Sequence, residues 1–153
     1  MSNELPSTIY ILLVEDNEID VEITRRVLAK SGVAVTLDVA RDGEEALDLL
    51  SRQRSQQASV SEAQLPGLVL LDLRLPLMDG REVLRRIKSD PDLCPIPVAV
   101  LTGATGERPM LECMELGGNM YFVKPMTVRD ATNLLPAVQR YWAVIDRLRG
   151  RAA

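Results

Sequence analysis

Histidine is absent from all 153 residues. That excludes an imidazole general base, a Ser/His/Asp triad, a histidine-containing zinc site and any phosphohistidine on this chain. The two cysteines, Cys94 and Cys113, are too few for a disulfide framework, and reduced thiols in a cytoplasmic setting are the expectation. Aromatic residues make up only 3% of the chain, too few to sandwich a flavin. No apolar run is long enough to span a bilayer, and MSNELPST at the N-terminus lacks the basic and apolar regions of a secretory leader. A net charge of −4 argues against bulk electrostatic binding of nucleic acid. What remains is one domain's length of chain, 46% apolar and 26% charged, as in an ordinary globular protein. If phosphorus chemistry takes place here, carboxylates must carry it.

The stretch LLVEDNEID, Leu12 to Asp20, poses the central question. An apolar run ends in two adjacent acids, with a third four residues later. Carboxylates repel one another and resist burial, so the pair implies either exposure or a cation that holds it together.

Short apolar runs alternate with segments of helical period along the chain. Ile9–Val14 reads as a strand, and Ile19, Ile23 and Val27 then recur on one helix face, closed by Gly32. Val35–Val39 is a second strand, and Gly43–Leu50 opens a second helix. The polar stretch 51–64 is its end plus a long surface loop. Leu68–Leu73 is apolar enough for a strand buried on both faces. Gly80–Ser89 is helical with Val83, Leu84 and Ile87 inward, Pro97–Leu101 a strand, Glu107–Leu116 a helix and Met120–Val123 a strand. Thr127–Leu148 forms a last helix with a broad apolar face, and Pro136 either kinks it or marks a later start. Five strands alternating with five helices imply an α/β fold, a doubly wound parallel sheet covered on both faces. In such sheets ligands bind beyond the carboxyl ends of the strands.

Those ends carry a pattern. The first strand stops at Glu15-Asp16, the third at Asp72, the fourth at Thr102 and the fifth at Lys124-Pro125. Singly, an Asp after a strand is more often a helix cap and a Lys before Pro a solvated charge. Four of five strand ends bearing these groups together reverse that balance. Three clustered carboxylates suit a hard divalent cation, Mg²⁺ or Mn²⁺. Asp72, on the most buried strand, suits a nucleophile, while Thr102 and Lys124 suit the oxygens of a transferred phosphoryl group.

With these residues the chain resembles a response-regulator receiver domain of two-component signalling over about residues 8–148. The resemblance implies a (βα)5 flavodoxin/CheY-like fold of strand order 2-1-3-4-5. It makes Asp72 the phosphoacceptor and Glu15, Asp16 and Asp72 the metal site, completed by the main-chain carbonyl of Arg74. Thr102 and Lys124 would engage the phosphoryl oxygens and Tyr121 would be the switch aromatic. Pro76 and Gly80 of LPLMDG match the loop after the acceptor. The polar stretch before the third strand, the segment IKSDPDLCPIPVAVLT and the Tyr-Trp pair of the last helix are similar to stand-alone, phytochrome-associated (Rcp-type) regulators.

The implied function is that of a single receiver, 1–153, without an output domain. It would take a phosphoryl group from the phosphohistidine of a sensor histidine kinase, such as a bacteriophytochrome. It would not be an enzyme on other substrates, and would not bind membrane or nucleic acid directly. The alternative is a phosphorylation-independent adaptor acting through its last helix and tail. Haloacid-dehalogenase-like chemistry is disfavoured because Arg74 stands where a second Asp is needed. Asp20, one turn into the first helix, suits the helix macrodipole. Arg74 and Ala104 occupy positions that tune phosphoryl lifetime in the family. The last helix and tail carry five arginines (129, 140, 147, 149 and 151) against Asp130 and Asp146. A homodimer through the fourth helix, fifth strand and last helix is the expectation, the basic face meeting the acidic remainder of a second copy with Tyr141 and Trp142 in the seam.

Overall fold

The computed structural model describes residues 8–56, 65–103 and 107–148. The order along the chain is β1 (Thr8–Val14), α1 (Glu18–Ala29), β2 (Ala34–Ala40), α2 (Gly43–Gln56) and β3 (Leu68–Asp72). Then follow α3 (Gly80–Ser89), β4 (Val98–Thr102), α4 (Glu107–Glu115), β5 (Met120–Val123) and α5 (Val128–Leu148). The strands form one parallel sheet in the order β2-β1-β3-β4-β5. Each expected element is present to within a few residues at its ends. The polar stretch after Leu50 continues α2 to Gln56, while 57–64, Ala104 and the basic tail lie outside the described residues.

Burial explains why the central strands run as they do. Every residue of β3 and β4 is buried, because helices cover both faces of the sheet. One core packs Ala46 and Leu50 of α2, Val83, Leu84 and Ile87 of α3 and Cys113 of α4 against the sheet. The other packs Val21 and Leu28 of α1 and Ala131, Leu134, Leu135 and Val138 of α5 against the opposite face. Each fully buried Leu, Ile or Val contributes roughly 1.5–3 kcal/mol relative to exposure.

Local chemistry sets the helix starts that flank the sheet's carboxyl edge. The side chain of Asn17 accepts from the N–H groups of Ile19 and Asp20 at 2.9 and 3.0 Å and caps α1. Asp79 caps α3 by accepting from the Arg81 N–H at 2.7 Å. Thr127 and Asp130 cap α5 reciprocally, each side chain accepting from the other's N–H at 3.0 Å.

The face of α1 corrects the sequence expectation. Val21, Thr24 and Leu28 are buried, whereas Ile19 and Ile23 are exposed. Ile19 lies in the first turn of α1, and Val27 alone of the three apolar residues at that spacing packs against the core. Pro136 does not delay α5, which runs through it from Val128.

Candidate functional site

Glu15 follows β1 directly, and its N–H donates to the Ala40 carbonyl at 2.9 Å, tying the turn to β2. Its side chain is only 1% exposed, and Asp72 at the end of β3 only 4%, while Asp16 between them is exposed. Two buried carboxylates side by side settle the opening question against simple exposure. Oxygens of Glu15, Asp16 and Asp72 lie within 4.8 Å of one another.

The counter-charge comes from β5. The Lys124 N–H donates to the Thr102 carbonyl at 2.8 Å, extending the ladder between β4 and β5, and the Lys124–Pro125 bond that follows is cis. From there the ammonium reaches inward. Nζ lies 2.8 Å from Asp72 Oδ2, 2.7 Å from Glu15 Oε1 and 3.0 Å from Asp20 Oδ2. Burial works against its charge, but the three carboxylates outweigh that and hold Lys124 above the ordinary lysine range. Burial pushes the Glu15 carboxyl up to about 7; the Lys124 ammonium draws it down and the Asp72 carboxylate pushes it further up.

The donor set fits a hard divalent cation. All three clustered groups are carboxylates, the ligand type such ions take. Glu15 Oε1 is buried, and the Lys124 ammonium at 2.7 Å faces it. One ammonium shared among three carboxylates leaves an excess of negative charge that a divalent cation would offset.

The other residues singled out in the sequence fall as follows. Thr102 is buried at the end of β4, next to the acceptor strand. Tyr121 is half-buried on β5 against the core that holds Cys113. The Arg74 N–H donates to Asp72 Oδ1 at 3.0 Å while its side chain is exposed. Between Arg74 and α3, Leu77 takes a left-handed φ of 70°, and Gly80 donates its N–H to the Leu73 carbonyl.

One expectation requires correction. Asp20 does sit in the acidic first turn of α1, but its carboxylate also accepts from Lys124. It is a member of the site. The separation of 104 residues hides that contact, and only the spacing of four from Asp16 hinted at it. Tyr141 is exposed and Trp142 half-buried, and both side chains also bond within the chain. The Trp142 indole N–H donates to the Gly67 carbonyl at 2.8 Å and the Tyr141 hydroxyl donates to the Pro95 carbonyl. Both contacts lie at the amino edge of the sheet, opposite the acidic cluster.

Comparison with known proteins agrees with this geometry. A family model described as the response regulator receiver domain matches residues 11–136. The response regulator Rcp1 of Synechocystis sp. is 38% identical over 142 residues, covering 93% of this chain and 94% of its own. A crystal structure of the Mn²⁺-bound form of Rcp1 superposes with a TM-score of 0.66 over 88% of this chain and 94% of that one. The phosphorylated cyanobacterial phytochrome response regulator RcpA is 38% identical, with a TM-score of 0.67 and the same coverage. The bacteriophytochrome response regulator AtBRR is 40% identical, with a TM-score of 0.68 over 92% of this chain and 93% of that one.

Proposed function

The chain belongs to the response regulator receiver family, and from that premise we propose that Asp72 is a phosphoacceptor served by a sensor histidine kinase. The observation that carries the proposal is the convergence of Glu15, Asp16 and Asp72 around one point, with Lys124 paired to the acceptor oxygen. An Asp72 oxygen attacks phosphorus and forms the new O–P bond. The P–N bond of the donor's phosphohistidine breaks, and its electron pair leaves on the imidazole nitrogen. Three groups face the charge spread over the equatorial oxygens: the Thr102 hydroxyl, the Lys124 ammonium and backbone N–H groups after β3.

Glu15, Asp16, Asp72 and the Arg74 main-chain carbonyl would hold Mg²⁺ or Mn²⁺, which would supply Lewis acidity against the developing charge. The Mn²⁺-bound Rcp1 structure supports a divalent ion in this family. Phosphorylation exchanges one carboxylate charge for a phosphoryl dianion. Thr102, Lys124 and Tyr121 would answer that change and pass it to α4 and β5. The only substrate is the chain's own carboxylate, so it acts as a signal carrier and not as an enzyme on other molecules. RcpA is a phytochrome response regulator and AtBRR a bacteriophytochrome response regulator, which supports a phytochrome-type kinase as donor.

The test is intact-mass spectrometry after incubation with Mg²⁺ and acetyl phosphate. One phosphoryl increment is expected, prevented by EDTA and absent in Asp72→Asn. No increment with several phosphodonors refutes the proposal and favours a phosphorylation-independent adaptor.

A further inference from the structure

The Lys124 ammonium has three carboxylate neighbours, and they are not alike. Glu15 and Asp72 belong to the cluster whose oxygens converge within 4.8 Å, and both are nearly inaccessible. Asp20 lies outside that cluster, its side chain is 34% exposed, and it approaches Nζ at 3.0 Å from α1. Its position is framed rather than incidental. The Asn17 side chain accepts from the Asp20 N–H at 3.0 Å, and the Asn17 N–H donates to Glu15 Oε2 at 3.2 Å. The turn that carries the acidic pair therefore also aims Asp20 at Lys124. A charge needed only for the helix dipole would not have to reach across to β5, and Glu18 already supplies one in the same turn.

From this arrangement we infer that Asp20 is a positioning residue of the phosphoryl site: it holds the Lys124 ammonium on the α1 side and competes for it with the anionic group that Asp72 carries after transfer. The inference rests on the receiver reading given above. With a cation drawing on the oxygens of Glu15 and Asp72, Asp20 would remain the partner of Lys124 outside the cluster. The phosphoryl group then has to draw the ammonium away from it. Asp20 thus acts with opposite sign on the two charges the site takes. Its negative charge favours the cation and disfavours the phosphoryl anion. Its partial exposure screens both effects, which sets their size at roughly three- to tenfold in affinity.

The experiment measures the two affinities separately on the full chain. Mg²⁺ alone is titrated by calorimetry, and beryllofluoride, a phosphoryl mimic, is followed by fluorine NMR with Mg²⁺ saturating. Asp20→Asn is expected to bind Mg²⁺ roughly three- to tenfold more weakly and beryllofluoride more tightly by a similar factor. Asp20→Glu, which keeps the charge, is expected to stay near the wild type on both. A purely structural lesion weakens both ligands together. Asp20→Asn values that move in the same direction, or do not move, therefore overturn the inference while wild-type binding leaves the receiver reading intact. A wild-type protein that takes up no beryllofluoride with Mg²⁺ overturns both.

Discussion

Replacing Gly80 by alanine isolates the link between α3 and the acceptor strand. A Cβ on Gly80 would stand 2.5 Å from the Asp72 carbonyl oxygen, 2.6 Å from Leu73 Cα and 3.1 Å from the Leu73 carbonyl carbon. All three atoms are backbone and cannot swing aside. Ordinary carbon contacts lie near 3.5–4.0 Å, so the start of α3 must withdraw by about 1 Å. That withdrawal strains the Gly80 N–H bond to the Leu73 carbonyl, now 3.1 Å. Overpacking of this kind costs about 1–3 kcal/mol, against which Gly→Ala gains about 0.4–1 kcal/mol from the unfolded chain. The net expectation is a loss of about 1.3 kcal/mol, read in urea unfolding, and a melting temperature about 3–5 °C lower. The atoms pressed upon include the acceptor's own carbonyl, and the loop between it and α3 must shift with the helix, so phosphoryl uptake from acetyl phosphate should slow by at least about tenfold. Gly103→Ala is the control. It follows Thr102 at the same edge of the sheet, yet a Cβ there meets nothing within 4 Å. Its stability should stay within about 0.5 kcal/mol of wild type. If Gly80→Ala proves as mild as Gly103→Ala, close backbone approach is not what requires glycine at the head of α3.

Trp142→Phe keeps most of the apolar contact between α5 and the two cores but removes the donor to the Gly67 carbonyl. About 1–2 kcal/mol should be lost in urea unfolding with the rate of phosphoryl uptake unchanged, and a slower uptake would contradict the separation of the two edges. Burial raises the Tyr10 phenol from 10.0 to about 12; a hydrogen bond from Gln53 opposes the rise, and the Asp38 carboxylate that the phenol donates to adds to it. Because the folded value lies above the unfolded one, the stabilisation is complete below pH 10 and disappears as the pH rises towards 12. The difference between ultraviolet phenolate titrations of wild type and Tyr10→Phe should show that late step, and a Tyr10 transition at pH 10 would refute it.

Sequence pattern reached far because a parallel sheet is an unusually legible object. The strands buried on both faces appear as unbroken apolar runs, and β3 and β4 are buried at every position. Each run stops where the chain leaves the core, so the strand ends could be read off, and with them Glu15, Asp16, Asp72, Thr102 and Lys124. The inward face of α1 was not legible. Ile19, Ile23 and Val27 mark the more apolar face by spacing, but Val21, Thr24 and Leu28 face the core. Periodicity registers hydrophobic side chains, while the sheet edge beneath the helix decides which of them are covered. The bond from the Trp142 indole to the Gly67 carbonyl was not legible either, because an aromatic residue near the end of an amphipathic helix carries no sequence sign of a partner 75 residues away. Asp20 needed three-dimensional placement, because its partner is fixed by the β4–β5 pairing at the far end of the sequence.

On the proposed reading, the distribution of burial over the sheet would let one carboxylate serve both as a fixed nucleophile and as a trigger. Attack requires an acceptor held in place, and Asp72 ends a strand buried along its whole length between two others. Close-packed interiors transmit strain and do not deform gradually, so β3 is poorly suited to absorb the change that phosphorylation brings. The response has to appear elsewhere. β5 is the edge strand and the least buried of the central and outer strands on that side, with Met120 and Val123 exposed and Tyr121 and Phe122 half-buried. Lys124 extends that strand and is bonded through its N–H to the Thr102 carbonyl, so a pull on the ammonium or on Thr102 acts directly on it. Beside it, α4 leaves Met110, Leu111 and Met114 exposed, adaptable side chains that can be re-presented when β5 moves. The acceptor thus stands on the stiffest part of the sheet, and the cation that answers it stands on the softest.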